Sequence, residues 1–95
     1  MRKSIAKEYL ELTKIWSDTD KETILNNVKK YICIKNPEIH IDFTTYWNSL
    51  AQITGAKKHT VYAWLNKSRS NVKIPLIKLC MIADAIDIDV VEFFK

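Results

Sequence analysis

A cluster of hydrogen-bond donors lies in the second half of the chain, close to residue 60. Lys57, Lys58, His59 and Tyr62 bring ammonium, imidazole and phenol groups together within about two turns of a helix. Such groups donate to the O6 and N7 atoms of guanine and to the phosphate oxygens of nucleic acids. The chemistry that this cluster offers is the recognition of a polyanion through charge and hydrogen bonds.

The distribution of charge favours the same interpretation more than the net charge does. The 95 residues carry a net charge of only +4. Residues 43–83, however, contain 6 lysines and arginines and no aspartate or glutamate, whereas residues 84–95 contain 4 acidic residues and 1 lysine. A segment this long without a carboxylate projects a positive field that attracts polyanions.

The sequence contains no pattern that catalysis or a cofactor requires. It has no glycine-rich phosphate loop, no nucleophile elbow, no HExxH and no paired His and Cys arrangement. Four acidic residues near the C-terminus are better explained as solvated groups at helix ends than as a metal site: Asp84, Asp87, Asp89 and Glu92. Cys33 and Cys80 are flanked by apolar residues and are expected to be buried, reduced thiols. We therefore expect no enzyme, no cofactor and no metal.

Hydrophobic periodicity predicts an all-α bundle of about six helices. The chain has 1 glycine and 2 prolines, which favours helices joined by short turns. The predicted helices span about residues 3–16, 19–36, 44–54, 57–67, 75–86 and 90–94, with a loop or short extended piece at 37–42. Thr19 and Glu22 have the spacing of a capping box at the start of the second helix, and Pro75 suits the first turn of the fifth.

The N-terminal helix has an apolar stripe with two open interpretations. Ile5, Tyr9, Leu12 and Trp16 share one face at helical spacing. This face either packs on the chain's own core or forms the interface of a homodimer. We expect a single domain over residues 1–95, with an N-terminal extension and first bundle helix in 1–42. No signal peptide or membrane-spanning segment is expected, so the predicted location is the cytoplasm.

The segment around Gly55 predicts two short helices that meet at a tight turn. Gly55 follows the third helix and can adopt the left-handed conformation that ends a helix. Ala51 is small enough for the next helix to approach closely, and Val61 and Trp64 are placed to point into the core. The donors of the fourth helix are then left on its outer face, close to its start.

These features resemble the Cro/repressor-type helix-turn-helix family, also called XRE or lambda-repressor-like. The similarity covers about residues 44–94. It rests on Leu50-Ala51 with Gly55, on Thr60-Val61 with Trp64, and on Leu79, Ile82-Ala83 and Ile86-Asp87-Ile88 leading to Glu92-Phe93-Phe94. The resemblance implies that residues 43–95 form a helix-turn-helix with its closing helices, and that the helix at 57–67 enters the major groove of double-stranded DNA.

The resemblance also implies roles for individual side chains. Lys58 and His59 fall at base-reading positions, with Tyr62 and Ala63 one turn further along the exposed face. The residues expected to contact phosphates, and so to add affinity without sequence information, are Thr45, Lys57, Asn66, Lys67, Arg69 and Lys73.

Three features depart from the family pattern. Trp47 stands where the family commonly has a glutamine that contacts the DNA backbone. Leu65 and Lys67 replace an expected glutamate and glycine after the recognition helix, and the linker at residues 68–73 is a few residues longer than usual. These departures concern the first phosphate contact and the end of the recognition helix.

Two functions are compatible with these observations. The first is a sequence-specific transcriptional regulator, expected to be a repressor of phage or mobile-element type that binds DNA as a homodimer. The second is an antitoxin or phage anti-defence protein that uses the same fold mainly to bind a protein partner. The additional N-terminal helix and the altered end of the recognition helix motivate the second hypothesis.

Overall fold

Five α-helices and a short 3₁₀ helix form the part of the chain that the structure describes. This computed structural model describes residues 2–35, 43–69 and 71–95, with side chains from residue 7 onward. The helices are α1 (Arg2–Asp18), α2 (Lys21–Lys35), α3 (Phe43–Thr54), α4 (Lys58–Leu65), α5 (Leu76–Ala85) and a C-terminal 3₁₀ helix (Val90–Phe94). No strand occurs among these residues, so the all-α class is confirmed. Of the six helices predicted, the described residues contain five as α-helices, and the sixth, at 90–94, is a 3₁₀ helix. The predicted loop at 37–42 lies outside the described residues.

The junction between α1 and α2 differs from the predicted capping box. α1 continues to Asp18, and Asp20 rather than Thr19 caps α2, because an Asp20 carboxylate oxygen accepts the amide N–H of Thr23 at 2.9 Å. Hydrogen bonds from the Thr23 hydroxyl and amide lower the pKa of Asp20. The Thr19 hydroxyl instead donates to the Ile15 carbonyl at 2.7 Å, which closes the end of α1. Aspartate is also preferred over threonine as an N-cap acceptor.

The hydrophobic core lies where α2, α3, α4, α5 and the 3₁₀ helix meet. Each of these elements contributes a fully buried side chain, and together these are Val28, Ile32, Leu50, Val61, Leu79, Ile82 and Phe93. Burying each such side chain stabilises the fold by about 1.5–3 kcal/mol. Trp64 and Ala83 are buried as their helical spacing predicted, and Ile74, in the linker before α5, is buried as well. This core fixes which side of α4 faces outward.

α1 packs on the rest of the molecule through the tryptophan near its C-terminal end. The indole N–H of Trp16 donates to the Ile74 carbonyl at 2.8 Å, and its ring packs against the core. Further towards the N-terminus, Tyr9 is 46% exposed and Leu10 is 70% exposed. One end of α1 therefore packs on the chain's own core, while apolar side chains nearer the start of the helix lie in solvent. None of the helices that the structure describes has the length and apolarity that a membrane crossing requires.

The turn between α3 and α4 depends on Gly55. Its φ of 71° lies in the left-handed region, which costs a residue with a Cβ free energy. The Gly55 amide still bonds to the Ala51 carbonyl at 2.9 Å, so α3 remains closed to its last turn. α4 then begins at Lys58 and ends at Leu65, two residues before the predicted end at 67.

α5 ends in a Schellman motif in which the left-handed residue is not a glycine. Asp87 has a φ of 58°. The Ile88 amide bonds to the Ala83 carbonyl at 3.0 Å and the Asp87 amide to the Asp84 carbonyl at 3.2 Å, which is the hydrogen-bond pattern of that motif. At the other end of α5, Pro75 is the N-cap residue and not, as predicted, the first helical residue.

Candidate nucleic-acid interface

Four residues form what we call the α4 outer face: Lys57, Lys58, His59 and Tyr62. All four side chains are exposed, and Tyr62 is 53% exposed. They lie outward because Val61 and Trp64, on the opposite side of α4, are buried in the core. The position of these donors agrees with the helical spacing of the sequence.

A side chain of α3, Trp47, forms a hydrogen bond to the first residue of α4. Its indole N–H donates to the Lys58 carbonyl at 2.8 Å, so the polar group of this side chain makes an intramolecular bond. The Trp47 ring also contacts Tyr62, with ring centroids 5.8 Å apart, and Phe43, with centroids 6.3 Å apart. We call Phe43, Trp47 and Tyr62 the aromatic strip. It runs from the first residue of α3 to the α4 outer face.

An open groove of about 460 Å³ lies between the aromatic strip and the first turn of α4. Trp47, Lys58, His59 and Tyr62 line it, and its exposed surface is almost entirely apolar. The α4 outer face therefore combines cations and hydrogen-bond donors with an apolar surface. That combination suits a DNA base edge, which carries both acceptor atoms and methyl groups.

The far end of α4 is held by a lysine that the sequence did not single out. Lys21 is 5% exposed, and its ammonium donates to the carbonyls of Ala63, Asn66 and Arg69 at 3.1, 2.7 and 2.8 Å. A helix leaves its last carbonyls without partners, and a cation there also interacts favourably with the helix dipole. Desolvation, followed by the charge of Arg69, lowers the pKa of Lys21.

Two further lysines also donate to carbonyls at helix C-termini. The Lys78 ammonium donates to the carbonyl of Thr54, the last residue of α3, at 2.9 Å. The Lys73 ammonium donates to the Trp16 carbonyl at 2.6 Å and lies 4.6 Å from the centre of the Trp16 ring. Lys73 was predicted to contact phosphate, but these bonds engage its ammonium at the end of α1. A phosphate contact would have to compete with them.

The other predicted site residues are distributed around both ends of α4. Lys67 and Arg69 are exposed just after the helix, while Ala63 is half-buried and less accessible than the α4 outer face. Asn66 is half-buried, and its side-chain oxygen accepts the amide and hydroxyl of Ser68 at 3.1 and 2.7 Å. Thr45 is exposed on α3.

The remaining candidate residues make local contacts. Glu92 accepts hydrogen bonds from Lys95 at 2.9 Å and from the Tyr31 hydroxyl at 3.0 Å, which lower its pKa, and Asp89 caps the 3₁₀ helix. Within the described residues, no three His, Cys, Asp or Glu side chains are grouped to hold a metal ion. Cys33 and Cys80 are free cysteines, and both are half-buried rather than buried as predicted.

Comparison of the chain with protein-family models, with curated proteins and with solved structures finds no match. The resemblance to Cro/repressor-type proteins therefore rests on the residues quoted above. The function must be argued from the geometry and charge of α3 and α4.

Proposed function

We propose that this chain is a sequence-specific DNA-binding regulator, a transcriptional repressor of phage or mobile-element type, acting in the cytoplasm. In this proposal α3, the Gly55 turn and α4 form a helix-turn-helix, and α4 enters the major groove. The observation that carries it is the α4 outer face, whose exposed donors lie in a segment, residues 43–83, that holds no carboxylate.

Each exposed side chain has a distinct role in this proposal. Lys58 and His59, in the first turn of α4, donate to base acceptors, and Tyr62 contacts the base one turn further on. Lys57 contacts the phosphates next to the start of α4, and Lys67 and Arg69 those next to its end. The remaining predicted contacts are secondary: Thr45 and Asn66 at the backbone, and Ala63 at the flank of α4.

Selection of bound duplexes from a random pool tests the proposal. A regulator enriches one sequence, and a palindrome indicates two protomers on paired half-sites. Gel shifts with the selected duplex at 50–100 mM salt, about the range in which such binding survives, then give its affinity. Failure to shift any duplex under these conditions overturns the proposal.

A matched pair of variants separates base reading from phosphate contact. Lys58→Ala is expected to relax the preference for the selected sequence, since a base contact contributes about 1–3 kcal/mol of discrimination. Lys67→Ala should weaken binding to selected and scrambled duplexes by the same factor. If Lys58→Ala, like Lys67→Ala, weakened binding to the selected and the scrambled duplex by the same factor, the assigned roles would be contradicted.

A second candidate function is favoured by the exposed apolar side chains of α1. Tyr9 lies on the same face of α1 as Trp16, about two turns nearer the N-terminus, and is 46% exposed, whereas Leu10 and Ile15 are exposed on other sides of the helix. The exposed part of this face suits a protein interface, either with a second copy of this chain or, in an antitoxin or anti-defence protein, with a different partner. Light scattering of wild type and Tyr9→Glu tests the homodimer, which predicts a dimer only for wild type. A stoichiometric complex with one protein, together with DNA affinity insensitive to Lys58→Ala, would favour the antitoxin.

A further inference from the structure

The hydrogen-bond donors of the α4 outer face do not account for the apolar surface of the aromatic strip. Phe43 is 55% exposed and Tyr62 is 53% exposed, and the Trp47 ring lies between them. Large aromatic side chains usually stabilise a fold by burial, whereas Phe43 and Tyr62 remain half in solvent on neighbouring helices, in contact with the same tryptophan.

The polar group of Trp47 is not free for a ligand. Its only donor, the indole N–H, already bonds to the Lys58 carbonyl at 2.8 Å. Trp47 can therefore offer a ligand only carbon surface, although the glutamine expected at this position would offer polar atoms. The groove beside it is correspondingly apolar, even though Lys58 and His59 form part of its wall.

The major groove of DNA has one prominent apolar group, the C5 methyl of thymine. Lys57, at the start of α4, attracts a phosphate, which brings the neighbouring base edge towards the aromatic strip. An aromatic pair whose ring centroids lie 5.8 Å apart presents a surface on which a methyl group can be buried.

We propose that Trp47 and Tyr62 form a thymine-methyl site, so that the DNA sequence recognised by this chain contains a thymine opposite the groove. The inference rests on the proposed function and adds a base preference to it. Lys58 and His59 read acceptor atoms, whereas Trp47 and Tyr62 select the methyl group.

Replacing each thymine of the selected duplex by uracil tests this site. Uracil pairs as thymine does and retains the O4 acceptor, so the exchange removes only the methyl group. We expect one or two positions at which wild-type affinity falls about fourfold, the value for burial of one methyl group. In Tyr62→Ala that loss at those positions should shrink to less than twofold.

Lys58→Ala is the control, because it removes a neighbouring donor and leaves the aromatic strip in place. Its affinity should fall while its thymine-to-uracil ratio stays at the wild-type value. Circular dichroism of Tyr62→Ala and of Tyr62→Gln verifies that the helix content of the protein is retained.

The outcomes separate this inference from the proposed function. Tight duplex binding that is indifferent to every uracil exchange overturns the thymine-methyl site and leaves the regulator intact. A thymine preference that persists in Tyr62→Ala and Tyr62→Gln also overturns it, as does tighter binding of the single strand than of the duplex. If no duplex binds, both proposals fail.

Discussion

Lysine side chains have two separate roles in this chain. Lys57 and Lys58 project into solvent at the start of α4, whereas the ammonium of Lys21 is surrounded by three backbone carbonyls at its end. Lys73 and Lys78 satisfy carbonyls at the ends of α1 and α3 in the same way. Sequence alone does not distinguish the two groups, because the carbonyl partners of Lys21 lie 42–48 residues away.

Removal of the Lys21 ammonium should destabilise the protein. Lys21→Met keeps the apolar stem but removes the ammonium donor from three carbonyls, of which those of Asn66 and Arg69 retain backbone amide donors. We expect a loss of about 1–3 kcal/mol in the free energy of unfolding. Denaturant unfolding followed by circular dichroism measures it. Lys29→Met, an exposed lysine on the same helix, is the matched control and should change stability by less than about 0.5 kcal/mol. Equal effects of the two variants would show that the cap does not stabilise the fold.

The carboxylate of Asp20 should make stability depend on pH in acid. Its pKa is lowered in the folded state, so its contribution is present above the unfolded pKa of about 3.9 and is lost as pH falls through the folded value. Asp20→Asn keeps an N-cap acceptor but does not titrate. We therefore expect Asp20→Asn to lose less stability than wild type in thermal melts between about pH 5 and 2. Parallel melting curves over that range would contradict this assignment.

The turn that joins α3 to α4 determines how the two helices meet. α4 has only 8 residues, which is too short for a stable helix in isolation, so packing of Val61 and Trp64 must hold it in place. The Gly55 turn, the inward positions of α4 and its outer face could be predicted from spacing and turn chemistry. The bond from Trp47 to Lys58 and the early end of α4 could not, because both depend on the tertiary approach of separate helices.

Two substitutions at residues with left-handed backbone conformation test these turns, one expected to lower the stability of the protein and the other to raise it. A Cβ at Gly55 would meet no atom within 4 Å, so Gly55→Ala should cost only the backbone strain, about 1 kcal/mol. Asp87→Gly removes a similar strain at the end of α5 and should stabilise by up to about 1 kcal/mol. Thermal melts measure both. A stabilised Gly55→Ala would show that the turn does not have the left-handed conformation.

At the scale of the whole molecule, the acid-free segment is less available to a ligand than its sequence indicates. Two of its cations, Lys73 and Lys78, are engaged with helix ends. The exposed cations are Lys57 and Lys58 before the second turn of α4, and Lys67 and Arg69 after its end. The charge pattern therefore locates the acid-free cationic segment, but only tertiary contacts show which of its cations remain exposed.

The salt dependence of duplex binding should reflect this exposed set. If each protomer neutralises about 3 phosphates, through Lys57, Lys67 and Arg69, the logarithm of the association constant falls with the logarithm of salt concentration with a slope of about −2.7 per protomer. A dimer doubles the slope. Fluorescence anisotropy between about 50 and 200 mM salt measures it, and a slope near zero would show that the cations contact no phosphate.

The central claim is that the α4 outer face meets DNA, and a nuclear magnetic resonance titration of the ¹⁵N-labelled chain with the selected duplex tests it directly. We predict that the largest shift changes fall on the amides of Lys57 to Tyr62 and on the indole N–H of Trp47. Amides at the start of α1, which the proposed DNA contact does not include, serve as the internal reference for unchanged shifts. This reference holds for a complex with one protomer, since α1 is the candidate dimer interface. Shift changes confined to α1, with α4 unaffected at saturating duplex, would contradict the account.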